Sequence, residues 1–274
     1  MEILISVDIE GVAGVTERVQ QSKGNPEYEF ARRLMTGEAN AAARGAFAAG
    51  ADKVTIVDSH GSMCNMICED LHPEARLISG KPRPFSMIEG VHEGCAGIVL
   101  IGWHARAGAF GQFAHTISSA AFRSITMNGV GVGEATLFAG YAASLGVPFL
   151  ATSGDNFYEA EIADQFPDTR FIRVKDAVGA YSANSLSPEK SRRLIEDGVK
   201  EAVSNIGRAR PSSPIALPLN AIVELRSQHL ADCATMISNI NREAAETVSF
   251  VSEDWASAIQ TLAAISLMVP AAKP

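Results

Sequence analysis

The sequence of 274 residues has few cysteines, few basic residues and no long apolar run. Its four cysteines (positions 64, 68, 95 and 233) contain no Cys-x-x-Cys pair. Their spread predicts free thiols in a reducing cytoplasm rather than a disulfide framework, although Cys64 and Cys68 could in principle chelate a metal. Lysine and arginine number 23 against 31 acidic residues, for a formal net charge of −8. Such a balance excludes nucleic acid and an anionic membrane as main partners.

Nothing in the sequence predicts export or membrane insertion. The apolar run at 259–270 contains Gln260, Thr261 and Ser266, so it is too short and too polar to span a bilayer. Met1 and Glu2 lead straight into a strand, and we therefore expect no secretory signal. The length allows one large domain or two unequal lobes.

Predicted strands alternate with helices through about residue 175. The strands cover 2–7, 53–57, 75–78, 96–101, 149–153 and 170–174, and the helices cover 26–50, 133–145 and 156–165. A strand, a helix and a strand at this spacing form a βαβ unit with parallel strands. The pattern predicts an α/β fold with a mostly parallel sheet and flanking helices.

The pattern changes after a helix that begins at Ser187-Pro188. Residues 210–214 are the best linker candidate, and residues 215–225 then alternate as in a half-buried strand that Pro218 keeps partly at an edge. A strand at 247–251 and a helix capped by Ser252 follow. We predict a metal-binding catalytic domain at 1–210 and a smaller α+β lobe at 211–274, or one continuous unit. The lobe is expected to shape the pocket or an oligomer interface.

Polar residues follow the predicted strands where each strand ends. Asp8 and Glu10 are two residues apart, and in an extended segment they point to the same side, just past the carboxyl end of the sheet where ligands bind. His60 and His104 follow two further strands, and Glu134 begins a helix. Asp58 could bind a metal or accept a hydrogen bond that orients His60.

Carboxylates and imidazoles together are typical zinc ligands. Three acids and two histidines exceed what one tetrahedral zinc requires, and they suffice for two metals that share a carboxylate. Such a site lowers the pKa of bound water toward ~7 and polarises a carbonyl or phosphoryl oxygen. Taken singly, each of these residues is more often an ordinary loop residue than a metal ligand, and it is their shared position at the strand ends that favours a metal site.

These residues lie within stretches that resemble the M55 family of metallopeptidases. The first stretches are Ser-Val-Asp-Ile-Glu-Gly (6–11), Leu-Met-Thr-Gly-Glu-Ala-Asn (34–40), Asp-Ser-His (58–60), His-Pro-Glu-Ala (72–75) and Leu-Ile-Ser-Gly (77–80). Pro-Phe-Ser-Met-Ile-Glu-Gly (84–90), Gly-Trp-His-Ala-Arg-Ala (102–107), Val-Gly-Glu (132–134) and Ser-Gly-Asp (153–155) continue the series. The resemblance runs in order over about residues 1–190 and fades in the last 80 or so.

The resemblance implies a dinuclear zinc aminopeptidase that acts on short peptides or amino-acid amides, including peptides with an N-terminal D-residue. The implied metal ligands are Asp8, Glu10, His60, His104 and Glu134, with Asp8 bridging. The active-site histidine of the family, described as a nucleophile, corresponds to His115. Because metal-activated water already supplies a nucleophile, we interpret His115 as a proton shuttle or an oxyanion stabiliser. Family members form ring-shaped homo-oligomers, and we expect one here.

Two departures from the family pattern concern the substrate. Ala135-Thr136-Leu137-Phe138 replaces Gly-Leu-Asn after the glutamate, so an aromatic ring is expected close to the site. Ala180 replaces an arginine before Tyr181, which removes either a substrate-carboxylate contact or a structural ion pair. Specificity for D-peptides is therefore open.

Two other classes of function remain. One is a two-metal amidase or phosphoesterase that acts on a non-peptide small molecule, although Arg106 is the only basic residue beside the predicted ligands in sequence. The other is a non-enzymatic protein that keeps a metal site for binding or sensing.

Overall fold

The computed structural model describes residues 1–272 and contains a six-stranded sheet, a five-stranded sheet and a two-stranded antiparallel hairpin (175–179 with 182–185), flanked by helices. The strands are β1 (Glu2–Val7), β2 (Lys53–Asp58), β3 (Ala75–Ile78), β4 (Gly97–Ile101), β5 (Phe122–Met127), β6 (Val130–Gly131), β7 (Phe149–Gly154), β8 (Arg170–Arg173), β9 (Lys175–Gly179), β10 (Ser182–Ser185), β11 (Leu219–Leu225), β12 (Asn241–Ala244) and β13 (Thr247–Ser252). The helices are α1 (Pro26–Ala48), α2 (Glu134–Ser144), α3 (Asn156–Gln165), α4 (Pro188–Ser204), α5 (Gln228–Ala234) and α6 (Trp255–Leu267).

The larger sheet has six strands in the order β3-β2-β1-β4-β7-β8, and every pair in it is parallel. From β1 the chain builds outward to β2 and β3, and then continues on the other side of β1 with β4. The strand order therefore reverses between β1 and β4. Open α/β sheets bind ligands in the crevice at the carboxyl ends of such a pair. The predicted α/β class with a mostly parallel sheet is confirmed.

Both faces of this sheet are buried, which explains its nearly continuous apolar strands. Ile3, Ile5 and Val7 of β1 belong to one core with residues of α1 and α4, whereas Leu4 belongs to a second core with α2 and α6. Helix α1 begins as predicted, because the side chain of Asn25 accepts a hydrogen bond of 2.9 Å from the backbone N–H of Tyr28.

The smaller sheet is antiparallel, with the order β12-β13-β11-β5-β6. Its strands β5 and β6 come from before residue 210, so the two lobes share hydrogen bonds across the predicted boundary. The division at residue 210 stays a prediction, and residues 273–274 of the predicted lobe lie outside the described residues. Within residues 1–272, no helix combines the length and the apolar character needed to cross a bilayer.

Two predictions about the C-terminal lobe are wrong. The strand predicted from residue 215 begins at Leu219, because Pro218 has no N–H to donate, and β11 is a central strand rather than an edge. Its alternation of buried and exposed residues is as predicted. Helix α6 is capped by Asp254, whose carboxylate accepts from Ser257 N at 2.7 Å, whereas Ser252 ends β13. The sequence did not predict β6, β9, β10, α5 or β12.

Candidate metal centre

The carboxyl ends of β1 and β4 are in direct contact. Gly11 N donates to Gly102 O at 2.7 Å, and a Cβ atom on Gly11 would overlap the carbonyl oxygen of Trp103. Gly102 has a φ of +71°, a left-handed conformation that favours glycine. After β1 the chain turns, with Val12 N donating to Ile9 O at 3.2 Å. The turn, rather than the extended segment we expected, brings Asp8 and Glu10 to the same point.

His60 contacts both of these acids with one ring nitrogen. Its Nδ1 lies 2.8 Å from Glu10 Oε2 and 3.2 Å from Asp8 Oδ1, and its Nε2 lies 2.9 Å from the carbonyl oxygen of Gln21. A carbonyl can only accept a hydrogen bond, so we assign the Nε2 proton to this contact. The Nδ1 lone pair is then available to a metal on the side of the carboxylates.

His104 has the same arrangement with the two nitrogens exchanged. Its Nδ1 donates to Ala105 O at 3.0 Å, and its Nε2 lies 3.5 Å from both Asp8 Oδ2 and Glu134 Oε2. This buried Nε2 has no hydrogen-bond partner among residues 1–272. The two carboxylate oxygens of Asp8 therefore face different histidines, as a bridging ligand requires.

Glu134 and His115 complete the cluster. Glu134 is the first residue of α2, where the helix dipole favours an acid, and its Oε1 accepts from Ile117 N at 2.6 Å. The ring of His115 stacks on that of His104, with centroids 4.2 Å apart, and its Nε2 lies 3.7 Å from Glu134 Oε1. His115 Nδ1 donates to Phe113 O at 2.8 Å.

The protonation of these groups reflects their mutual charges. Burial alone would lower the pKa of both histidines, but Glu134 and Asp8 raise the pKa of His104 to about 10, and Glu10 and Asp8 raise the pKa of His60 well above its usual range. Burial alone would raise the pKa of Asp8, yet the neighbouring imidazoles of His104 and His60 bring that pKa well below the usual range. Without a metal, protons on the imidazoles supply the positive charge that the carboxylates require.

The donor set fits divalent metal ions. Asp8, Glu10 and His104 offer ligand atoms within 4.8 Å of one another, and so do His104, His115 and Glu134. Two groups of donors that share His104, together with His60 beside Asp8, suit two neighbouring cations. The second group also allows His115 to be a ligand instead of the catalytic group that we predicted.

Two neighbouring residues differ from expectation. Asp58 accepts hydrogen bonds from the backbone of Asn65 and, at 2.7 Å, from Met66 N, so it stabilises the loop after His60. The hydrogen-bond acceptor for the ring of His60 is Gln21 O rather than Asp58. Phe138 does not line the cleft beside the metal centre, because it is fully buried in the core and its ring meets Trp103 edge-on at 5.9 Å.

Lys175 is a part of the site that the sequence did not reveal. It is buried, and its Nζ donates to the carbonyl oxygens of Glu10 (2.6 Å), Val12 (3.2 Å) and Val15 (3.0 Å). It thereby fixes the loop that carries Glu10. No local pattern predicts this contact, because Lys175 is distant from that loop in sequence.

A cleft of about 490 Å³ opens beside the metal centre. Its walls include Asp8, Glu10, His60, His115 and Glu134. Ala263, Ser266 and Leu267 of α6 line the same cleft. The C-terminal lobe therefore shapes the pocket, which is one of the two roles expected for it. The volume is in the range of small-molecule sites.

The fold and the site define an α/β protein with a buried carboxylate–histidine cluster, able to hold divalent metal ions, at the switch point of a parallel sheet. The profile of the peptidase M55 family, described as D-aminopeptidase, matches residues 1–264, well beyond the last motif recognised in the sequence. The chain belongs to this family of peptide hydrolases, which confirms the resemblance.

Comparisons with one curated protein and one solved structure extend this finding. The D-aminopeptidase of Bacillus subtilis (strain 168) is 33% identical over 263 residues, which are 96% of this chain and 95% of that protein. A solved structure, described as the Zn-dependent D-aminopeptidase DppA from Bacillus subtilis, a self-compartmentalizing protease, superposes with a TM-score of 0.93 at 31% identity and covers 98% of each chain.

Proposed function

We propose that the protein is a zinc-dependent aminopeptidase that hydrolyses the N-terminal amide bond of short peptides or amino-acid amides, including peptides with an N-terminal D-residue. The M55 family, the relatives named D-aminopeptidase and the zinc dependence of the solved relative all support this function. The cleft beside the cluster has room for a small peptide substrate.

One observation carries the proposal. The buried His104 Nε2 is without a hydrogen-bond partner within residues 1–272 and lies 3.5 Å from two carboxylates, Asp8 Oδ2 and Glu134 Oε2. A buried nitrogen without a hydrogen-bond partner that faces two carboxylates suits a cation bound between these groups. We assign Asp8, Glu10 and His60 to one zinc, and Asp8, His104 and Glu134 to the other, with Asp8 shared.

Zinc ions bound there would acidify a water molecule and polarise the scissile carbonyl. In the hydrolysis, the water oxygen forms a bond to the carbonyl carbon, the C–N bond breaks, and a proton passes to the leaving amine. His115 suits that proton transfer, since Nδ1 is held by Phe113 O and Nε2 lies on the side of Glu134 and the cleft. His115 accepts the proton at Nε2 and then donates it to the amine.

We also propose a cytoplasmic, ring-shaped homo-oligomer. The solved relative is described as self-compartmentalizing, and this chain exposes large apolar side chains that subunit contacts could cover, such as Phe110, Val178 and Met236. Cys64 and Cys68 are free and exposed, which suits a reducing compartment. Light scattering coupled to size exclusion measures the oligomeric mass.

The test compares stereochemically paired substrates before and after zinc removal. Purified protein is incubated with D-alanyl and L-alanyl dipeptides and with an N-acetylated D-dipeptide, and the products are separated by chromatography. We expect hydrolysis that ceases on chelation and returns with zinc, a preference for the D-dipeptide, and no cleavage of the acetylated peptide. His104→Ala should abolish turnover, whereas His229→Ala, at an exposed histidine of α5, serves as the matched control.

Two outcomes would contradict the proposal. Peptide hydrolysis that persists in the metal-free protein would exclude the zinc-dependent mechanism. Hydrolysis of p-nitrophenyl phosphate without peptide hydrolysis would favour the phosphoesterase alternative.

A further inference from the structure

The cavities around the metal centre carry more positive charge than the acidic sequence suggests. Arg18, Lys81 and Arg83 line the 490 Å³ cleft. A second cavity of about 570 Å³ includes Arg18 and Arg226 in its lining and shares Glu10 and His115 with the first. Arg106, the basic residue nearest the predicted ligands in sequence, lines neither cavity. The basic lining points to a substrate that carries a negative charge.

These cations are not equally available to a substrate. The guanidinium of Arg83 donates to Asp58 O at 2.7 Å and to Ile78 O at 3.3 Å, so it is engaged in holding a loop. Lys81 lines the first cavity but not the second, and Arg226 lines the second but not the first. Arg18 lines both, and it forms no ion pair with another residue of the described chain.

The backbone of Arg18 is tied to the metal centre. Arg18 begins a short 3₁₀ helix, Arg18–Gln21, and the carbonyl oxygen of Gln21 accepts the hydrogen bond from His60 Nε2 at 2.9 Å. The side chain of Gln20 accepts hydrogen bonds from the backbone of Thr16 (2.7 Å) and Glu17 (2.9 Å), which fixes the start of this turn.

The guanidinium of Arg18 is held on the other side by an aromatic ring. Its Cζ lies 5.7 Å from the centroid of Tyr181, in the turn between β9 and β10. A guanidinium over an aromatic face has less freedom to lose on binding and keeps its N–H groups for a ligand. A planar carboxylate is the ligand that such a fork binds with two parallel hydrogen bonds.

We propose that Arg18 is a specificity-determining residue that binds the C-terminal carboxylate of the short peptide substrate. The inference rests on the proposed aminopeptidase function. It identifies the protein group that binds the C-terminal end of the substrate, whereas the bond that is cleaved lies at the N-terminal end. Because an extended peptide adds at most ~3.3–3.6 Å per residue, one fixed cation favours substrates of a particular short length. The enzyme should thus prefer free short peptides to amino-acid amides and to C-terminally blocked peptides.

The experiment measures kcat and KM for D-Ala-D-Ala and for its C-terminal amide. Arg18→Met should lower kcat/KM for the free acid ~10-fold or more, mainly through KM, because a charge-assisted hydrogen-bonded pair is lost. The same variant should change kcat/KM for the amide less than ~2-fold, because the amide has no carboxylate to lose. Arg18→Lys should recover part of the preference, since it restores the charge without the fork. Arg33→Met, at an exposed arginine of α1 outside both cavities, is the matched control.

Several results would overturn the inference. Equal losses on the acid and the amide would make Arg18 a structural residue, and a loss of the preference in Lys81→Met instead of Arg18→Met would transfer the role to that lysine. A wild-type enzyme that hydrolyses both substrates equally well would refute the inference and leave the proposed function standing. A wild-type enzyme that hydrolyses neither would refute both.

Discussion

Replacing Lys175 with methionine separates the stability of the protein from the organisation of its metal site. The substitution keeps a long apolar side chain and removes three hydrogen bonds to the loop that carries Glu10. Val12 O keeps its bond from Val15 N at 3.3 Å, whereas Glu10 O and Val15 O lose their Lys175 donor. Two unsatisfied buried acceptors cost about 2–6 kcal/mol together.

An opposing effect reduces the net change in stability. Burial lowers the pKa of Lys175 from 10.5 to about 8, and this fall corresponds to about 3 kcal/mol against the charged form in the folded protein at neutral pH. Methionine does not carry this cost. We therefore expect the free energy of unfolding of Lys175→Met to stay within about 3 kcal/mol of the wild-type value.

The metal site should respond more strongly than the fold. The loop would no longer be anchored at Glu10, and loss of a group that orients a ligand typically weakens metal binding about 10–100-fold. The assays are zinc competition with a chelator, and urea unfolding of the metal-free protein. Lys200→Met, at an exposed lysine of α4, is the control.

The pH dependence gives an independent check. The folded protein releases the Lys175 proton at a lower pH than the unfolded chain does, so wild-type stability should rise relative to the variant between about pH 8 and 10.5. A variant that binds zinc with wild-type affinity would refute the positioning role. A stability difference that does not change over this pH range would refute the assigned charge cost.

Three further predictions concern other residues. His115→Ala should keep both metals and lose about 10²–10⁴ in kcat, and loss of one metal would instead make His115 a ligand. Zinc binding at pH 7 should release about two protons per chain, because the raised pKa values of His60 and His104 keep both protonated without metal. Calorimetry in buffers of different ionisation enthalpy counts the released protons, and a zinc affinity that does not rise with pH would contradict the prediction. Phe138→Ala should lower the free energy of unfolding by about 3–5 kcal/mol and leave zinc affinity unchanged, because its ring packs on Trp103 in the core. Urea unfolding and zinc titration test this, and weakened zinc binding would show that Phe138 supports the metal site.

The sequence predicted the parallel sheet because its strands are short apolar runs that alternate with helical segments. It also predicted which residues lie at the strand ends, since parallel strands bring their carboxyl ends to one edge. The reason given for Asp8 and Glu10 was incomplete, because a turn rather than an extended strand directs both toward His60.

What the sequence did not predict depends on contacts between distant segments. Lys175 begins β9 just after β8 ends, and only the fold brings this point of the chain to the loop of Glu10. Arg18 contacts Tyr181 only because the β9–β10 turn lies beside the second cavity. The hairpin itself has weak alternation, so it was not recognised. Ser252 and Asp254 are both good N-cap residues, and only the end of β13 decides between them.

The most direct test of the dinuclear site is the zinc content of wild-type and variant proteins. Elemental analysis of metal-replete protein at known concentration should find about two zinc ions per wild-type chain and in the control His229→Ala, and about one each in His60→Ala and His104→Ala. Folded wild-type protein with one zinc or none, or His104→Ala with full occupancy, would contradict the assignment of two metals bridged by Asp8.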